Sequence, residues 1–342
     1  MSISRISFHR VFPLILLILA ACNFPGVQSS LPTENSAATP MPTATVPSDA
    51  PLGAPENPIV MALVPSKAQE IPESAQALAA QLSTLTGLTI VPFVPASYTD
   101  LVEALGTGRV HVAVLPPFAY LLAHQKGYAD VALEITQSGQ DLSATEFLVN
   151  AQRVGENKFR VYFDEETGTN TANAATAMKQ FADMKPCWTD DTSGVGYVVP
   201  LGLLNENNVE TRPGLFLQGD ATVVRSLYSD PSGYICEFGA ARADSRSAVA
   251  PDHADVKNKV VIVWRTEPIV PFDGIAYAAK LPGEARIGIT AAFMALLQTE
   301  AGRTALRDTY QIEELKLIDD TFYEALRHAL EQSGLDLSAL VH

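Results

Sequence analysis

Residues 110–124 read VHVAVLPPFAYLLAH. A short apolar run stops at Pro116-Pro117, and an apolar stretch follows from Phe118. A run of this length ended by proline predicts a buried strand over residues 110–115. Proline is tolerated in the first turn of a helix, so the same pair predicts a helix over residues 118–125. One strand leading directly into one helix is the unit from which the rest of the chain can be read.

The pattern repeats outward. Residues 58–64 form an apolar run that ends at Pro65, which predicts a buried strand. Residues 66–85 carry Ile71, Ala75, Leu78, Ala79, Leu82 and Leu85 at helical spacing, and Gly87 supplies a stop. Residues 88–94 are the next strand. Ser97 is a good N-cap for a short helix lined by Leu101, Val102 and Leu105, ending near Gly106 and Gly108. Residues 145–151 predict a strand that leaves this first lobe. A second series starts at residues 158–163. Helices are expected over 171–181, 197–204 and 221–228, strands over 186–189, 233–238 and 260–264, and a helix start over 244–248. Residues near Ile269 lead back to the first lobe, and helices over 285–298 and 319–332 close the chain. Strands alternating with helices predict an α/β protein with mostly parallel sheets covered on both faces. Such sheets bind ligands at the carboxyl ends of their strands.

The chain opens differently. Arg5 and Arg10 precede an apolar run over residues 11–21, which is too short to span a bilayer, since that takes about 20 residues. It reads as a signal-peptide core. The run ends in Leu19-Ala20-Ala21-Cys22, which resembles the bacterial lipobox, with small residues before a cysteine. Cleavage there would make Cys22 the first residue, lipidated and anchored outside the cytoplasmic membrane. An ordinary cleaved signal with an incidental cysteine is the alternative. Residues 22–57 are rich in Pro, Ser, Thr and Ala without apolar periodicity, which predicts a disordered tether.

The 342 residues carry 38 acidic and 23 basic side chains, a formal net charge of −15. Cleavage of residues 1–21 would remove two arginines and no acid, leaving the body more acidic. This balance argues against nucleic acid and anionic membrane surfaces as partners. Three cysteines lack zinc-type spacing. With Cys22 assigned to the anchor, Cys187 and Cys236 remain. An oxidising compartment favours a disulfide between them, with two separately buried thiols as the alternative.

Residues 190–196 (DDTSGVG) precede the helix expected at Tyr197. A helix N-terminus presents unpaired N–H groups and a partial positive charge. Thr192 and Ser193 add hydroxyls, and Gly194 and Gly196 allow close backbone approach. Together these make an anion site, or else an ordinary N-cap with turn glycines. Tyr98 is a candidate hydrogen-bond donor or a structural tyrosine. Pro117 and Phe118 stand at the strand-to-helix turn, where the backbone is a better contact than the Phe118 ring. Trp188 would wall a cleft or fill a core. Arg246 would clamp an anion bidentately or pair with an acid such as Asp244. Asp273 would accept a hydrogen bond from a protonated ligand or an amine, or serve as a cap.

Several blocks, in order, resemble the phosphate/phosphite/phosphonate-type substrate-binding components of ABC transporters. They are residues 98–108 (YTDLVEALGTG), 111–124 (HVAVLPPFAYLLAH) and 187–200 (CWTDDTSGVGYVVP), then Asp244-Ser245-Arg246, Pro271-Phe272-Asp273-Gly274 and residues 319–341. The resemblance implies a two-lobed type II periplasmic-binding-protein fold with two crossing strands as the hinge. Residues 58–150 plus 267–342 would form lobe 1 and residues 151–266 lobe 2. It implies a small oxyanion held between the lobes by Tyr98, Pro117, Phe118, Thr192, Ser193, Gly194, Val195, Arg246 and Asp273. It further implies a membrane permease as partner, a monomer, no cofactor or metal, and no catalysis. The chain departs from the family at Val195, where a hydroxyl is usual, and at Ala144 or Thr145, where a tyrosine is usual.

A ligand-sensing module and an anchored hydrolase are the competing classes. The six histidines (His9, His111, His124, His253, His328 and His342) fall in no HExxH arrangement. No G-x-S-x-G elbow and no GKS or GKT loop is present either.

Overall fold

Pro116 and Pro117 do separate a strand from a helix. In the computed structural model, which describes residues 50–137 and 139–342, the strand is Val112–Leu115 and the helix Pro117–Gln125. Pro116 is the N-cap residue and Pro117 occupies the first turn, where its missing N–H costs nothing. The expected signal segment, Cys22 and the tether up to residue 49 lie outside the described residues.

The strand Val112–Leu115 belongs to a six-stranded sheet. Its strands run in the order Glu314–Leu317, Ala129–Thr136, Gly274–Ala278, Val112–Leu115, Ile59–Ala62, Ile90–Phe93. Alternate residues point to opposite faces. Ile59, Met61, Val112 and Val114 pack under the helices Glu73–Thr86, Gly283–Leu296 and Glu300–Tyr310. Ala62, Ala113 and Leu115 pack under Tyr98–Thr107 and Pro117–Gln125. Burial on both faces explains why these strands read as unbroken apolar runs.

A five-stranded sheet runs in the order Leu215–Phe216, Pro186–Trp188, Phe238–Arg242, Thr145–Asn150, Val260–Arg265. The chain leaves the first sheet after Ala129–Thr136, enters the second as Thr145–Asn150, and returns through Val260–Arg265 to Gly274–Ala278. The two crossings touch, because Leu142–Ser143 and Val270–Pro271 pair antiparallel.

These crossings correct the expectation of mostly parallel sheets. Ile59–Ala62 is parallel to both its neighbours, but Gly274–Ala278 runs antiparallel to both of its own. Thr145–Asn150 is likewise antiparallel on both sides. A strand entered from the other sheet starts at the opposite end from one entered through a local helix, so each sheet is mixed.

Other boundaries move for local reasons. The helix expected from residue 66 begins at Glu73, because Pro72 is its extended N-cap and disfavours helix before it. Ile71 therefore precedes the helix, and Leu85 is 51% exposed. Of residues 158–163 only Phe163 enters a strand, in a small hairpin with Thr169–Asn170. The strand expected over 233–238 is Phe238–Arg242. Ahead of it the Asp230 carboxylate accepts the Ile235 amide and the Ser232 hydroxyl, and Gly233 takes a positive φ, so the chain turns. Residues 50–57, tether-like in composition, fold onto the body: the Gly53 amide bonds Asn57 O at 2.8 Å, and Leu52 packs on the core. Proline and glycine serve tight turns as well as linkers, so composition alone does not separate the two.

Two contacts tie distant parts together. The helix Glu324–Ser333 packs on Val199–Glu206 so closely that a Cβ on Gly202 would lie 2.3 Å from Ala329 O. Cys187 and Cys236 form a disulfide with Cα atoms 5.6 Å apart. The bond joins Pro186–Trp188 to the turn before Phe238–Arg242 across 49 residues of sequence.

Reduction of this bond should lower unfolding free energy by about 2–5 kcal/mol, the usual cost of releasing a loop of such length. Urea unfolding with and without reductant measures it; coincident curves would contradict the expectation. Gly202→Ala should cost about 1–3 kcal/mol by forcing the two helices apart, measured in the same way.

Candidate functional site

Three helix N-termini converge on one cavity of about 400 Å³. The first is that of Tyr98–Thr107. The Ser97 hydroxyl caps it by accepting the Asp100 amide at 3.0 Å. The Tyr98 amide donates to His342 O at 2.8 Å, and the Thr99 hydroxyl to Val341 O at 2.9 Å. Residues 341 and 342 therefore lie against this helix end, and Tyr98 lines the cavity beside them.

The second is that of Pro117–Gln125. Tyr120 is the first residue whose amide is bonded, to Pro116 O at 3.0 Å, and those of Phe118 and Ala119 have no acceptor among the described residues. The third belongs to the loop after Pro186–Trp188. The helix starts earlier than expected, with a π turn at Gly194–Val198 that continues into Val199–Glu206. Ser193 is its N-cap: the hydroxyl accepts the Gly196 amide at 3.0 Å, and the carbonyl accepts Tyr197 and Val198 amides. The amides of Gly194 and Val195 have no acceptor among the described residues.

Both glycines of this loop answer to close contact, not to backbone conformation. A Cβ on Gly194 would lie 2.9 Å from a Val270 methyl on the returning crossing, and one on Gly196 would lie 1.9 Å from Thr189 Oγ1. Thr145, one of the two positions at which the family's tyrosine would stand, is fully buried and donates its hydroxyl to Val195 O at 2.7 Å. It holds the loop from behind and offers the cavity nothing.

Of the residues singled out in the sequence, Tyr98, Pro117, Phe118, Thr192, Ser193, Gly194, Val195 and Asp273 all line this cavity. Arg246 does not, and the expectation is corrected. It is 4% exposed, and its guanidinium donates to both Glu165 oxygens at 3.0 and 2.6 Å and to Val260 O at 3.1 Å. Trp188 packs among Phe238 and Tyr197 in the second sheet's core.

The arginine of the cavity is Arg242. It is the last residue of Phe238–Arg242, donates to the Ser143 hydroxyl, and lies 5.5 Å from the Phe272 ring centroid. The carboxyl-end rule for α/β sheets points to this residue, whereas motif resemblance points past it. Gln137, Leu340, Val341 and His342 are further lining residues without a local sequence signal.

The charge balance is mixed. Burial pushes the Asp273 carboxyl up, and Arg242 partly offsets this. Burial and the nearby Asp273 push the Tyr98 phenol up to about 12, so it remains a hydrogen-bond donor. The cavity thus offers donors from both sheets and, among its described lining side chains, the Asp273 carboxyl as an acceptor. A larger cavity of about 730 Å³ includes Phe163, Asn170 and Arg265 in its lining. Among the described residues no helix N-terminus lines it, and Arg265 is already paired with the buried Glu146.

Two mixed sheets joined by two crossings, with a cavity at the helix N-termini, define a type II periplasmic-binding-protein fold. A family model described as the periplasmic phosphonate substrate-binding protein of an ABC transporter matches residues 61–323, and the chain belongs to that family. XAC2383 from Xanthomonas citri, solved with chloride, superposes with a TM-score of 0.59 at 14% identity, covering 81% of this chain and 97% of that one. PhnD1 from Prochlorococcus marinus, solved with methylphosphonate, gives 0.52 at 12% identity, covering 80% of this chain and 97% of its own. At these identities the likeness is one of fold. No curated protein sequence matches. Among the described residues no helix is long and apolar enough to cross a membrane.

The two arginines separate binding from stability. Arg242→Met should weaken capture of an anion by about tenfold or more, the worth of a charged hydrogen bond. Arg246→Met should lower the melting temperature and leave affinity intact. Calorimetric titration and thermal unfolding of both variants test this. A loss of affinity in Arg246→Met alone would reverse the assignment.

Proposed function

We propose that this protein captures a small phosphonate-type oxyanion between lobes formed by residues 58–150 plus 267–342 and residues 151–266. It would then pass the ligand to a membrane permease, without catalysis. The observation that carries the reading is the convergence of unpaired helix-terminal amides from both sheets, with Arg242, on one cavity. Closure of the lobes would desolvate the anion among donors already in place. Phosphate, phosphite and alkylphosphonates fit this chemistry, and Asp273 would accept a proton carried by the ligand.

The sequence around Cys22 supports a lipid anchor on the outer side of the cytoplasmic membrane, with the protein acting as a monomer. In that arrangement the tether would let the binding body range over its permease.

Isothermal titration with phosphate, phosphite and methylphosphonate tests the ligand class. Saturable heat with at least one is expected, and an affinity about tenfold or more lower in an Arg242→Met protein. No heat and no thermal shift with any of them would reject the oxyanion. Mass spectrometry of the membrane-bound protein should find Cys22 as a lipid-modified first residue, and an unmodified Cys22 or a different first residue would reject the anchor.

A further inference from the structure

Behind the cavity wall lies a glutamate that the site has not used. Glu134, on the strand Ala129–Thr136, is fully buried. One carboxyl oxygen accepts the Phe272 amide at 2.8 Å, and the other has no partner among the described residues. The adjacent Ile135 amide donates to Asp273 O at 2.9 Å. The strand therefore grips Phe272 and Asp273, both of which line the cavity.

A second unpaired group lies close by. Tyr323 is fully buried and its hydroxyl has no partner among the described residues. It stands over Gly274, the register partner of Glu134, where a Cβ would be 2.8 Å from the hydroxyl oxygen. A buried carboxylate with an unpaired oxygen is costly, whereas the neutral acid is far less so and can itself donate.

We propose that Glu134 is a proton-holding positioning residue of the cleft. Neutral, it fixes the Phe272–Asp273 wall; ionised, it sets a second negative charge behind the anion and weakens capture. The proposal rests on the oxyanion reading and deepens it by adding proton control.

The charged and titratable neighbours are consistent with this. Facing Glu134 are Asp273 on the returning segment, Tyr323 on the turn Asp320–Tyr323, Lys316 as its register partner, and Asp141, which is itself paired with Lys316. Arg242 acts on Asp273, while Tyr120 and Asp320 act on Tyr323. Burial dominates at Glu134 and pushes its carboxyl up to about 8, against the downward pull of the Phe272 amide and Lys316. A bound anion disfavours ionisation of Glu134, so affinity must fall as pH rises through that value.

Glu134→Gln keeps an acceptor for the Phe272 amide and cannot ionise. Methylphosphonate affinity is measured for parent and E134Q across pH, so that the ligand's own ionisation divides out at each point. The parent-to-variant ratio should fall by about tenfold from about pH 6.5 to about pH 9.5, equivalent to one pKa unit of coupling. A constant ratio overturns the proposal.

If neither protein binds methylphosphonate, that reading of the ligand fails and Glu134 is judged without ligand. A raised folded-state pKa gives stability that is lost as pH rises from the unfolded value to the folded one. The parent should therefore lose stability relative to E134Q from about pH 5 to about pH 8 and level off above; parallel curves overturn the proposal. Should E134Q not fold, infrared spectra of an Asp273→Asn protein should show a protonated carboxyl band at pH well above the ordinary carboxylate range that is lost as pH is raised further, since burial, the main cause of the upward push on Glu134, remains in that variant. Absence of that band overturns it equally.

Discussion

The antiparallel contact between Leu142–Ser143 and Val270–Pro271 is the constraint on which the rest depends. Because the chain crosses there in both directions, each sheet receives one strand entered from the far side. That is why Thr145–Asn150 and Gly274–Ala278 run against their neighbours. It is also why the N-termini of Pro117–Gln125 and of the helix starting at Gly194 meet at a single cavity. Val270, on one crossing, lies against the Gly194 loop, so the crossing and the loop are parts of one contact.

An acidic protein can hold an anion because fields of different range act on it. The distributed charge of −15 is screened over ~10 Å in ordinary salt. Helix-terminal amides act at contact distance in a partly desolvated cavity, where screening is weak. The acids that matter are the buried ones. Asp273 and Glu134 both have carboxyls pushed up by burial, so the wall facing the anion carries less negative charge than its composition suggests.

Legibility followed the range of the interaction. The Pro116-Pro117 break, the Ser97 cap and the Ser193–Gly196 turn were readable, since each rests on bonds within a few residues. Arg246 and Arg242 lie four positions apart and differ only in which way the fold turns them. One is buried against Glu165 beneath the sheet, and the other ends a strand at the cleft. The sense of the strands was equally hidden, because antiparallel entry follows from the crossings and leaves no mark in a strand's own apolar pattern. Glu134 carries no local signal in the sequence, and only the sheet register places it behind Asp273.

Val195 and Thr145 show what the departures from the family's pattern do physically. The side chain that would carry a hydroxyl donor is apolar, yet the amide of the same residue has no acceptor among the described residues. Thr145 spends its hydroxyl on the Val195 carbonyl, which locks the peptide that presents those amides. Donors of this kind are fixed by the helix axis and have no rotamers to lose on binding. On the proposed reading they would respond to negative charge and size more than to a particular arrangement of oxygens. On the same reading, discrimination among anions of similar size would fall to the lining groups that differ in protonation and direction, namely Tyr98, Arg242 and Asp273.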